Sequence, residues 1–347
     1  MKEIVEKEKR IEYIDLLRII ATIGVIIIHV STQNIELIDV NSFKWNIYII
    51  YDSIFRWCVP IFVMISGTLL LSKKYDFKKI YFKKILRIVT AFIFWAIIYA
   101  IIFRNTENAY FTIRELLVGK YHMWFLPMII GLYIMTPILK KIVESEKMTK
   151  YFLVVWIVIS LILPFIYDVI LLICKNPYIT TIINALKWDL DSLYVTFNYT
   201  GYFVLGYYLN KKQLQKKNIN VIYVMGLVGI ILTIGLTIIA SKKIGKYTDL
   251  YSQYLSLNVF LESIAVYVFA KYNFKTNKII KNIAGCCFGI YLVHVLILEK
   301  GKDILEISSL LFNPIIAVPI ISISVFIIAL VISKILNKIP IINKYVV

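Results

Sequence analysis

Histidine is scarce in this chain, and acid is scarce beside base. Among 347 residues only three are histidine, and 21 Asp and Glu stand against 39 Lys and Arg, a formal charge of +18. The four cysteines, Cys58, Cys174, Cys286 and Cys287, lie in or beside apolar runs without metal-ligand spacing, and neighbouring Cys286 and Cys287 are badly placed for a disulfide. HExxH, paired CxxC and GxSxG patterns are all missing, so neither a bound metal nor a nucleophile elbow is expected. No Gly/Ser-rich linker divides the chain. Its two halves share no motif, which argues against the inverted repeats of many secondary transporters. The positive charge is dispersed among the segments between apolar runs and forms no basic face, so nucleic acid is not an expected partner.

What fills the space is hydrocarbon. The chain is 60% hydrophobic and only 17% charged, with a mean hydropathy of +0.79, far outside the range of a soluble globular domain. An all-α integral membrane protein is predicted, since a helix satisfies its own backbone in lipid. Ten spans are read at about 13–33, 45–72, 85–103, 122–139, 151–174, 195–209, 219–240, 258–270, 283–299 and 314–333. Assigning alternate loops to alternate sides puts 25 Lys and Arg on the side of both termini and 11 on the other. The positive-inside rule therefore predicts cytoplasmic termini. The first run is too long for a signal-peptide core and lacks a small-residue cleavage site, so it is read as a retained helix. The expected organisation is a single membrane domain over 1–347, in the cell membrane, with no soluble C-terminal domain.

The stretch 14–31, IDLLRIIATIGVIIIHVS, places Asp15, Arg18 and His29 inside the first span. Eleven residues of α-helix make three turns plus about 20° and climb about 16 Å, so Arg18 and His29 share a face. Asp15 and Thr22 fall close to that stripe. A charge facing lipid costs several kcal/mol, so the stripe is expected to look into a protein-lined, wet cavity. His29 is suited to act as a general base toward a hydroxyl, its plainer alternative being a packing histidine. Arg18 is suited to hold a phosphate or to pair with Asp15.

The run 73–87, KKYDFKKIYFKKILR, is basic and interleaved with aromatics. It reads either as a lipid-touching cytoplasmic loop or as a docking surface for a phosphate-rich ligand, with Lys84 and Arg87 facing one way at i and i+3. The segment 188–202, WDLDSLYVTFNYTGY, has the composition of an aromatic belt or a carbohydrate-facing cap. His122 and His294 each read as interfacial, packing or cavity-lining residues, and Ser66–Gly67 as helix-bending chemistry.

Five stretches in order, EYIDLLRIIATIGVIIIH (12–29), VPIFVMISGTLLL (59–71), KKILR (83–87), HMWFLPMIIGLYIMTPIL (122–139) and FGIYLVHVLIL (288–298), together with YFVLGYYL (202–209), resemble acyltransferase family 3. This family of membrane proteins includes bacterial O-acetyltransferases of surface polysaccharides. The resemblance implies a ten-helix domain that moves an acyl group, usually acetyl, from cytoplasmic acyl-coenzyme A to a hydroxyl of an envelope polysaccharide or its lipid-linked precursor. It maps the family's Arg and His onto Arg18 and His29, with Asp15 beside them in the catalytic group. The family's basic pair maps onto Lys84 and Arg87, where the lysine departs from the usual arginine and loses the bidentate fork. Ser66, His122, Trp124, Tyr291 and His294 are the implied cavity-lining residues. Thioester exchange needs no metal, and acyl-coenzyme A, the glycan acceptor and membrane lipids are the implied partners. The rival reading is a transporter of lipid-linked saccharide using Asp15, Arg18 and His29 as a proton relay, marked by proton-coupled flux without acetyl-coenzyme A consumption.

Overall fold

The computed structural model describes residues 10–72, 81–103, 109–174, 176–183, 198–305, 310 and 312–347, and these are mostly helical, with no strand among them. Most of 188–202 and the first part of the basic run 73–87 lie outside the described residues.

The chain opens with α1 (Tyr13–Thr32), α2 (Phe43–Ile54) and α3 (Cys58–Leu71). A π turn, Tyr81–Ile85, leads into α4 (Leu86–Ile102), followed by α5 (Ala109–Val118). A 3-10 turn, Tyr121–Trp124, then starts α6 (Phe125–Val143). Next come α7 (Glu146–Ile157), a π turn (Val158–Ile162), α8 (Leu163–Ile173) and α9 (Thr200–Lys211). The last helices are α10 (Lys216–Ile244), α11 (Leu257–Asn273), α12 (Lys278–Ala284), α13 (Cys287–Leu305), α14 (Pro314–Leu336) and α15 (Pro340–Tyr345). Side chains cap four of these helices: Ser42 accepts from the Trp45 amide at 3.2 Å, Ser145 from Met148 at 3.3 Å, Asn277 from Ile280 at 2.8 Å and Asn313 from Ile315 at 3.0 Å.

Seven stretches are long and apolar enough to cross a membrane: Tyr13–Leu37, Phe43–Leu71, Lys83–Ile102, Thr112–Val143, Glu146–Ile173, Lys216–Ile244 and Pro314–Leu336. An eighth is α12 with α13, bent by 56° at Gly285–Cys286. The remaining two expected spans, near 195–209 and 258–270, correspond to α9 and α11, of 12 and 17 residues. At 1.5 Å per residue they reach only about 18 and 25 Å, short of a full hydrocarbon core. Both lie against other helices.

The bundle is organised around α1, which packs against α2, α3, α11, α12, α13 and α14. Of its first span 72% is buried, against 22% for Lys216–Ile244 and 28% for Pro314–Leu336, so α1 is a core helix and the latter two face outward. Gly67 also serves a close approach. A Cβ there would stand 1.8 Å from the Phe203 carbonyl oxygen, and a Cβ on Gly206 would stand 2.1 Å from that of Met64. These paired glycines let α3 and α9 cross backbone to backbone, the close approach that small residues permit in membranes.

Candidate active site

The two interior charges of α1 look toward the same neighbours. Arg18 lies within electrostatic reach of Cys287 at the start of α13 and of Tyr133 on α6. One turn on, Thr22 donates to the Arg18 carbonyl at 2.8 Å and lies beside the Cys287 thiol. The His29 ring meets His294 of α13 at 5.2 Å and Tyr121, in the turn that leads α6, at 5.3 Å. The stripe drawn from helical geometry thus faces α13 and α6 at both ends. Arg18 and His29 are partly accessible on a helix in which 14 of 20 residues are buried, and Thr22 and Val25 between them are covered.

All three histidines of the chain converge at the far end of this stripe. His294 lies 5.2 Å from both His29 and His122, ring centre to ring centre. His294 and His122 are buried while His29 keeps partial access. Gly119, at φ +77°, takes the left-handed conformation that turns the chain out of α5 toward His122. The turn is then fixed from two sides. Lys120 pairs with Glu299 at 2.9 Å, and the Tyr291 hydroxyl donates to the His122 carbonyl at 2.6 Å. On α13 the Tyr99 hydroxyl enters the backbone ladder, donating to the Leu292 carbonyl at 2.9 Å and accepting from the Leu296 amide at 3.1 Å. A side chain inserted between an i carbonyl and its i+4 amide opens the helix locally, and His294 lies within that opened turn. Its Nδ1 is 2.6 Å from the Tyr291 carbonyl, whereas its Nε2 and both nitrogens of His122 meet no partner in hydrogen-bonding geometry.

The other end of the stripe gathers basic residues. Arg87 lies over the Phe288 ring at 5.7 Å and donates to the Val347 carbonyl. Tyr133 hydrogen-bonds Ser66 and feels the charges of both Arg18 and Arg87, so Ser66 enters the site as a support for Tyr133. Lys84 is half-buried in the π turn ahead of α4. Asp15 is drawn elsewhere. Its carboxylate accepts from Arg10 at 2.8 and 2.6 Å and from Thr276 at 3.1 Å, about 21 Å of helix away from His29. That geometry anchors Asp15 at the entry to α1, where its charge also reaches Arg18. Trp124 sits at the rim, 39% exposed, stacked on Tyr254 at 5.9 Å and 20° and tilted against Tyr199.

The site also contains a buried ion pair that the motifs above do not include. Arg56 donates to Asp52 at 3.0 and 2.7 Å and to the Tyr247 hydroxyl at 3.0 Å, lies over Tyr254 at 5.7 Å, and its charge acts on the His29 ring. Burial, and then the Asp52 charge, raises the Tyr247 phenol above its ordinary range, and burial does the same for Tyr254. Both therefore stay protonated. The spacing of Asp52 and Arg56, opposite charges at i and i+4 inside an apolar run, is a signal readable without coordinates. Tyr133, Tyr121 and Tyr99 carry no such mark in a chain with 25 tyrosines.

These features define a multi-pass helical membrane protein with an imidazole cluster held inside its bundle. The chain belongs to acyltransferase family 3: the family model described as "Acyltransferase domain" matches residues 11–334. It is a membrane acyltransferase. No curated protein and no solved structure matches it. Among the described residues, no group of three or more His, Cys, Asp and Glu is arranged to hold a metal ion.

Proposed function

We propose that this protein moves an acyl group, acetyl in the first instance, from cytoplasmic acyl-coenzyme A to a hydroxyl of an envelope polysaccharide or its lipid-linked precursor. The whole chain acts as one membrane domain, with both termini in the cytoplasm as the Lys and Arg bias of its loops requires. The observation that carries the reading is the meeting of His29, His294 and His122 at one end of a stripe whose other end holds Arg18 and Arg87.

Arg18 and Arg87 receive the donor's phosphates, with Lys84 beside them contributing a point charge. The thioester then lies along the α1 stripe. Thr22 and Val25 are covered at its midpoint, so the donor reaches His29 by parting the side chains packed over them. His29 takes the proton of the acceptor hydroxyl as that oxygen attacks the acyl carbonyl. The C–O bond forms, the C–S bond breaks, and the coenzyme thiolate leaves to be protonated. Near the same end, Arg56 supplies a fixed positive charge and the Trp124–Tyr254 rim supplies flat apolar faces of the kind on which sugar rings stack.

The test is transfer of label from [14C]acetyl-coenzyme A to glycan in membranes containing the protein. Label is expected in the glycan with the wild-type chain and is lost with a folded His29→Ala variant. Wild-type turnover by that variant ends the role given to His29, and proton-coupled saccharide flux without consumption of acetyl-coenzyme A ends the enzymatic reading.

A further inference from the structure

The unpartnered nitrogen of His294 carries a step beyond a single base, one that rests on His29 acting as proposed above. His294 presents Nδ1 to the Tyr291 carbonyl at 2.6 Å. A carbonyl oxygen only accepts, so the proton of that bond belongs to Nδ1. In a neutral imidazole the other nitrogen is then a bare acceptor. Here that nitrogen, Nε2, is buried without a hydrogen-bond partner. A buried acceptor without a partner is costly to keep, and the Tyr99 hydroxyl engages the α13 backbone on either side of His294.

The ring that faces His294 from α1 is His29, 5.2 Å away and tilted by 32°. His29 has partial access while His294 has none, so the pair runs from the accessible side of the site inward. We infer that His294 is the second station of a proton relay, receiving through Nε2 the proton that His29 removes from the acceptor hydroxyl. The hydroxyl proton passes to one nitrogen of His29, and the proton on the opposite nitrogen passes to His294 Nε2. When the thiolate leaves, the same path runs backward and the proton ends on the coenzyme sulfur. One hydroxyl and one thioester become one ester and one thiol, with no other reactant consumed. His294 touches no substrate and works through His29. The groups facing the pair are Tyr121, His122 and Tyr291 at ring contact, Arg56 through its charge on His29, and Glu299 beside Tyr121.

With three histidines in the chain, 15N-histidine labelling gives three ring systems, and His294→Asn, whose amide retains a donor near the Nδ1 position, assigns one of them. The expected spectrum has His294 protonated at Nδ1 and bare at Nε2, with the Nε2 signal moved by His29→Ala. A proton on Nε2, or no response to His29→Ala, overturns the relay. The second measurement follows single-turnover transfer from acetyl-coenzyme A to the vesicles' own glycan in H2O/D2O mixtures. A curved dependence on deuterium fraction is expected for wild type and a straight one for His294→Asn, whose rate falls about 10- to 100-fold at unchanged KM for the donor. A straight line in the wild type, or an unaltered curve in the variant, removes the relay. Failure of the base reading shows separately, as transfer that survives in His29→Ala.

Discussion

The two ends of the α1 stripe solve opposite problems. At the guanidinium end, Arg87 meets a carbonyl and the Phe288 ring with its Nε left unmatched, and Asp15 meets Arg10 and Thr276. At the imidazole end, polar atoms are left over, with three ring nitrogens of His122 and His294 unmatched although both rings are buried. Buried polar groups in folded proteins are nearly always paired, and exceptions gather where chemistry is done. On the function proposed above, the basic end holds the donor and the imidazole end reacts.

That contrast is broken most severely by His29→Ala, for which transfer falls about 100- to 10,000-fold while KM for the donor changes little, as read by label incorporation. Arg87→Ala is expected to do the reverse. Losing one charge-assisted contact of about 1.5–3 kcal/mol raises KM for acetyl-coenzyme A about 10- to 100-fold and leaves single-turnover rates close to wild type. A shared effect of both variants on one parameter would erase the distinction between the ends. Tyr99→Phe sharpens the comparison from the side of the fold. It deprives the Leu292 carbonyl and the Leu296 amide of the hydroxyl between them, costs about 1–3 kcal/mol of stability, and loosens His294, measured as a lower melting temperature with a weakened 15N signature. The smallest effect belongs to Asp15→Asn. Its ion pair with a half-exposed Arg10 is worth about 1 kcal/mol or less, so the transfer rate stays within about threefold of wild type. A collapse of transfer there returns Asp15 to the reacting group.

Much of this is legible in the chain itself because helical geometry is rigid. An eleven-residue step allows little freedom, so Arg18 and His29 fall on one stripe whatever surrounds them. The membrane character is equally plain, since so apolar a chain could not hide its hydrocarbon from water in a soluble fold. Helix lengths are harder. The apolar runs at 195–209 and 258–270 are short in the sequence as well, and periodicity does not carry how α9 and α11 pack against their neighbours. The convergence of His122 and His294 on His29 depends on contacts across 93 and 265 positions of sequence, and neither residue has a local pattern that points to its partners. Gly67 is a related case: beyond any helix bend, its need for glycine comes from the Phe203 carbonyl on another helix, which the local sequence does not show.

The Gly67–Gly206 crossing also has a mechanical meaning. Where two main chains touch without side chains between them, neither helix can slide along the other without steric collision, so α3 and α9 form a rigid post inside the bundle. On α13, by contrast, the Tyr99 hydroxyl takes the place of a direct main-chain contact, and the chain bends by 56° where α12 gives way to it.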